Sequence, residues 1–174
     1  MKIILYLIFI LSIIYCVFEL KQSFDFVKDI YFLSGVFSLI FLFLSLFFAI
    51  FRLVKKVNLA KFFGFFSVFY AICHFLNYFV FEKNLSILRV YDDLTLRQLS
   101  GLIALVIMLL MLISSFKFGS KLAILRKLGF VALIMASLHY FLAAKSPNIP
   151  QFSVLFLAFL ISLVYLIKRL KFKN

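Results

Sequence analysis

The sequence predicts an all-α integral membrane protein, a six-transmembrane-helix bundle forming a single domain over residues 1–174. Three observations carry that expectation. Hydrophobic residues make up 67% of the chain and the mean hydropathy is +1.21, more apolar surface than a soluble domain of this length can bury. These residues fall in six runs, each near the ~17–25 residues that a bilayer-crossing helix needs. The charged residues cluster in the short segments between the runs.

The first span is placed at about 2–18. It follows Met1-Lys2 as a signal peptide would, but it ends Tyr15-Cys16-Val17-Phe18-Glu19, without the small residues of a cleavage site, so it is expected to remain. The second, third and fourth spans are placed at about 30–51, 62–81 and 98–116. The fifth covers about 128–144, and Pro147 and Pro150 end it and delay the sixth to about 152–167. Cys16 and Cys73 fall inside spans, where a thiol serves as a small apolar filler. No internal repeat or linker is visible.

Charge sets the orientation. Lys2, Arg52, Lys55, Lys56, Lys61, Lys117, Lys121, Arg126, Lys127, Lys168, Arg169, Lys171 and Lys173 all fall on one side. The other side holds Lys21, Lys28, Lys83, Arg89, Arg97 and Lys145, balanced by Glu19, Asp25, Asp29, Glu82, Asp92 and Asp93. The positive-inside rule makes the first side cytoplasmic, with both termini there. The formal net charge of +13 is thereby explained by topology and contact with anionic lipid headgroups, and no charge run calls for nucleic acid.

Span interiors lack Asp and Glu, which excludes a carboxylate proton relay. There is no Gly-rich phosphate loop, HExxH or CxxC, and the serines have no carboxylate–histidine set around them. What remains is two histidines, His74 in the third span and His139 in the fifth. A histidine in hydrocarbon must find a partner, because no water satisfies its ring nitrogens. Both spans run outward. His74 lies eight residues from the outer end of its span and His139 six, or about 12 and about 9 Å at the helical rise. Two imidazoles at nearly one depth are what a bis-histidine haem site needs. The competing reading is that each ring packs in the bundle and bonds a serine or a carbonyl on a neighbouring helix. Two histidines are too few for the usual zinc sites.

A family resemblance rests on Val27-Lys28-Asp29-Ile30 with Gly35, on Gly64 followed ten residues later by His74, on Tyr78 one turn further, and on Leu138-His139-Tyr140. Over residues 25–145 the chain resembles the MsrQ (YedZ) family of haem-binding membrane subunits of bacterial periplasmic methionine sulfoxide reductase systems, within the ferric-reductase-like transmembrane group. The resemblance implies a bacterial inner-membrane electron-transfer subunit rather than the catalytic one. Electrons would pass from the quinone pool or a cytoplasmic flavin reductase to a periplasmic molybdopterin-dependent subunit that repairs methionine sulfoxide. His74 and His139 would be the axial ligands of one haem b, with Tyr78 in the haem pocket. The family's further histidine would fall at Arg126, and the tryptophan that usually precedes it at Leu122, so a second, inner haem has no imidazoles. Flavin mononucleotide is implied by the resemblance alone. Arg52 and Arg126 have two readings, a haem-propionate or flavin-phosphate contact through the planar guanidinium fork and a topology charge.

Two alternatives stand beside this reading. One is a ferric or quinone reductase of the same fold, which a molybdopterin oxidoreductase encoded next door would disfavour. The other is a haem-free membrane scaffold whose histidines only pack.

Overall fold

The computed structural model describes residues 2–51, 58–116 and 120–171. These are helical, with no strand among them, and they include six helices long and apolar enough to cross a membrane. The protein is a multi-pass membrane protein. In order the elements are α1 (Lys2–Lys21), α2 (Phe26–Phe51), α3 (Leu59–Asn77) continued by a π-helical turn (Tyr78–Glu82), the short α4 (Ile87–Asp92), α5 (Leu96–Ser114), a 3₁₀ segment (Ser120–Leu128), α6 (Gly129–Ala143) and α7 (Ile149–Lys171). "Outer" below means the end of the bundle bearing α4, and "inner" the opposite end.

The helix starts are written in polar side chains that satisfy the first free N–H groups. Asp25 Oδ1 accepts from Lys28 N, and Asn58 Oδ1 from Lys61 N. Ser86 Oγ accepts from Arg89 N at the start of α4. The Gln98 side chain reaches back to Thr95 N, and that of Gln151 to Asn148 N. Helix α7 begins at Ile149, earlier than the expected 152, because Pro150 falls in its first turn, where proline's missing N–H would have no partner anyway. At the other end of the chain α1 runs to Lys21, three residues beyond its apolar run.

Two side-chain clusters hold the helices. Leu39, Leu42 and Leu46 of α2, Val68 of α3, Met108 of α5, Ala132 and Leu133 of α6 and Ala158 of α7 form one. Leu5, Phe41, Leu59, Phe63, Phe66 and Tyr70 form the second, which ties α1 to the α2–α3 hairpin. In hydrocarbon, helices are joined by close packing and interhelical hydrogen bonds rather than by removal of apolar surface from water. Serines supply many of those bonds. Ser67 Oγ donates to Ser38 O at 2.7 Å and Ser38 Oγ to Ser67 O at 3.1 Å, a reciprocal pair between α3 and α2. Ser45 Oγ bonds Ala60 O at 2.8 Å, and the Ser12 and Tyr70 hydroxyls meet at 2.7 Å. Apolar side chains meanwhile cover the outside: in α1 only Leu5 and Ser12 are buried, the inverse of a soluble helix and as expected for one facing lipid.

Candidate functional site

Helices α2 and α5 run inward and α3 and α6 return outward, so the core holds two parallel hairpins, α2–α3 and α5–α6. The outward helix of each carries one histidine. His74 and His139 face each other with ring centroids 5.9 Å apart and ring planes at 90°.

Each ring is anchored in the same way. His74 Nδ1 lies 2.8 Å from Tyr31 O on α2, and His139 Nδ1 lies 2.7 Å from Arg97 O on α5. A carbonyl can only accept, so in both neutral rings Nδ1 carries the proton and Nε2 keeps its lone pair. Neither Nε2 has a hydrogen-bond partner among the described residues.

Glycines let the rings approach. A Cβ at Gly35 would lie 3.0 Å from His74 Nδ1 and Cε1, and one at Gly101 only 2.7 Å from His139 Nδ1 and 2.9 Å from Cε1. The preceding serines bond the same two carbonyls: Ser34 Oγ donates to Tyr31 O at 3.2 Å as well as to Ile30 O, and Ser100 Oγ donates to Arg97 O at 2.8 Å. The tripeptides Leu33-Ser34-Gly35 and Leu99-Ser100-Gly101 thus do one job twice.

The imidazoles sit in a mainly apolar cavity of ≈ 390 Å³, within the range of cofactor pockets. Its walls pair off by position. Tyr31, Phe32, Gly35, Val36, Ser38 and Leu39 on α2 correspond, 66 positions on, to Arg97, Gln98, Gly101, Leu102, Ala104 and Leu105 on α5. Ala71, His74, Phe75 and Tyr78 correspond, 65 positions on, to Ala136, His139, Tyr140 and Ala143. The site therefore has the layout of a repeated helical hairpin, contrary to the expectation of no internal repeat. The signal was available in the duplicated Leu-Ser-Gly and the near-equal spacing of the histidines.

The donor set fits a haem. Two axial imidazoles would place their centroids about 6.2–6.4 Å apart, from metal–nitrogen bonds of about 2.0–2.1 Å and about 1.1 Å between each nitrogen and its ring centre. The 5.9 Å separation is a few tenths of an ångström shorter. No cluster of three or more His, Cys, Asp or Glu occurs among the described residues, so those residues offer a metal here two imidazoles and no third ligand of these types.

Of the other residues singled out by sequence, Tyr78 lines this cavity and Arg126 does not. Arg126 lines a second, inner cavity of ≈ 190 Å³ together with Ser45, Asn58, Lys61, Ser115 and Tyr165. There Lys61 Nζ donates to Ser115 O at 3.0 Å and lies 5.4 Å from the Phe65 ring centroid. Met108 lines both cavities. Arg52 lies outside the described residues.

The protein-methionine-sulfoxide reductase heme-binding subunit MsrQ of Agrobacterium fabrum (strain C58) is 31% identical over 134 aligned positions, which take in 71% of this chain. The chain spans 62% of that relative's length. No protein-family profile matches the chain, and no solved structure does.

Proposed function

We propose that this chain is a b-type haem electron-transfer subunit of the MsrQ type, with His74 and His139 as the two axial ligands through Nε2. The observation that carries the reading is the facing pair of imidazoles, each with Nδ1–H tied to a helix carbonyl and Nε2 left without a partner. Such an outer hydrogen bond sets the tautomer and the ring orientation, and it raises the basicity of the ligating nitrogen. The likeness to an MsrQ heme-binding subunit supports the same reading.

When bound, haem supplies a one-electron centre held in the membrane. The protein's residues do the rest. The Tyr31 and Arg97 carbonyls would hold the two rings in orientation for such a group. The apolar walls exclude water, and Met108 separates the haem cavity from the inner one. Lys61 and Arg126, both at the inner cavity and with no carboxylate on that side of the chain, suit the phosphate of a flavin mononucleotide. With the basic side toward the cytoplasm, as the charge asymmetry requires, electrons enter from quinol or a cytoplasmic flavin reductase. They leave outward to a periplasmic molybdopterin-dependent methionine sulfoxide reductase.

Protein purified from haem-replete cells should show a reducible haem spectrum, lost or strongly altered in His74→Ala and in His139→Ala. A colourless preparation overturns the reading. Complementation of a deletion strain, scored by repair of oxidised periplasmic methionine, separates this role from a ferric or quinone reductase, which would restore only the reduction of added acceptor.

A further inference from the structure

The paired walls of the histidine cavity differ most at the outer end. Apart from the two histidines and Tyr140, the interior pairs are apolar or small on both sides, as with Val36 and Leu102, or Ala71 and Ala136. At the mouth, Arg97 and Gln98 of one hairpin answer to Tyr31 and Phe32, while Tyr78 of the other answers to Ala143. Lys28 also lines this end. The result is a concentration of hydrogen-bond donors with no Asp or Glu among the lining residues.

Of these donors, Tyr78 has no hydrogen-bond partner and Lys28 and Arg97 no carboxylate partner among the described residues, while the Gln98 side-chain oxygen already accepts from Thr95 N. The Tyr78 hydroxyl is buried with no hydrogen-bond partner, and the residue as a whole is 7% exposed. A buried phenol without a partner is costly, and the cost disappears when a ligand oxygen accepts its proton. Lys83 approaches the Tyr78 ring, 5.3 Å from its centroid, but its ammonium is itself bonded to Asp93. The Lys83–Asp93 contact is the only ion pair among the described residues, so exposed Lys28 and half-buried Arg97 have no carboxylate partner there. Tyr78 moreover opens the π-helical turn, a local break in helix geometry of the kind found at functional sites.

We infer that Lys28, Tyr78, Arg97 and Gln98 form a carboxylate clamp that takes the two propionates of the proposed haem and holds its acidic edge toward the outer face. This rests on the haem reading above and adds the orientation of the ligand. An amphipathic ligand with a planar apolar body and one anionic edge has a single way to fit a cavity that is apolar within and basic at its mouth. Arg97 then acts on both parts of the site, its carbonyl orienting His139 and its guanidinium holding a carboxylate. The edge nearest an external acceptor is the propionate edge, so the clamp also sets where electrons leave.

The test compares haem b with its propionate dimethyl ester, which keeps the ring and the iron and removes the acidic groups. Each is titrated into full-length protein purified in the apo form from haem-deficient cells. Wild type should bind the ester at least about tenfold more weakly than haem b, the loss expected for charge-assisted hydrogen bonds. The gap should close to within about threefold in Lys28→Met/Arg97→Met and narrow in Tyr78→Phe. All three substitutions keep the side-chain bulk, and Arg97→Met keeps the carbonyl that orients His139. Equal affinity of wild type for the two ligands overturns the clamp while leaving the haem reading intact, as does a gap that persists unchanged in the double variant. Failure of wild type to bind either one overturns the haem reading and the clamp with it.

Discussion

An imidazole inside a bilayer has two nitrogens to satisfy and no water to do it, and at residue scale the site is a solution to that problem. The packing-only reading supposed that each ring bonds a neighbouring carbonyl, and each does so, through Nδ1 alone. That contact does not compete with the proposed metal ligation, because a ring donating from Nδ1 keeps Nε2 as an acceptor. The glycines make this possible, and the two are not equivalent. Gly101→Ala would put a methyl 2.7 Å from His139 Nδ1, inside any real contact distance, whereas Gly35→Ala puts one at 3.0 Å from His74. Gly101→Ala is expected to displace its ring and reduce haem content several-fold, and Gly35→Ala to do so less. Pyridine-haem quantification per polypeptide would check the order, and a reversed order would contradict the packing described. The histidines were legible in the sequence as isolated polar residues in apolar runs. Tyr31 and Arg97 were not, because the group they contribute is a backbone carbonyl that any residue would supply.

At the scale of elements, the spans were largely legible because length and hydropathy are local properties. The differences lie at the ends. Helix α3 continues outward through a π turn, closed by Lys83 N to Tyr78 O at 3.1 Å and followed by left-handed residues Asn84 and Leu85 at φ 49° and 60°. The inner approach to α6 is a 3₁₀ segment rather than α-helix. Hydrophobicity cannot distinguish these geometries, which depend on which carbonyl each N–H selects. Between elements, the Ser38–Ser67 pair joins α2 to α3 beside the histidine cavity, which Ser38 lines, and Ser67 is fully buried. Ser67→Ala removes one interhelical bond and leaves the Ser38 carbonyl without that donor. It should cost about 0.6–1.7 kcal/mol, readable as a shift in the unfolding transition of protein in detergent. Haem ligation should be preserved, since neither histidine bonds this pair.

At the scale of the whole molecule, two hairpins of one layout face each other across the cavity, with α1 and α7 packed outside them. The charge asymmetry predicts that alkaline phosphatase fused in the 83–95 connection is active and that the same fusion at the C-terminus is not. The opposite pattern would reverse the proposed direction of electron flow. The repeat also bears on stoichiometry. The outer level has two imidazoles, whereas the inner cavity has Lys61 and Arg126, neither of which is a haem-iron ligand of the usual kind. One haem per polypeptide is therefore expected, and two by pyridine-haem assay would require inner ligands from elsewhere.

The sequence by itself determined the membrane class, the six spans, the side on which the positive charges gather and the two histidines as the polar exceptions. Each of these follows from hydropathy, charge or residue identity read along one segment. Only the tertiary structure decided that the two rings face each other, which nitrogen of each is committed, that Arg97 belongs to the histidine cavity and Arg126 to the other, and that the two hairpins repeat one design. Those facts depend on which helix packs beside which and at what rotation, and interhelical packing joins residues more than 40 positions apart that no local pattern connects.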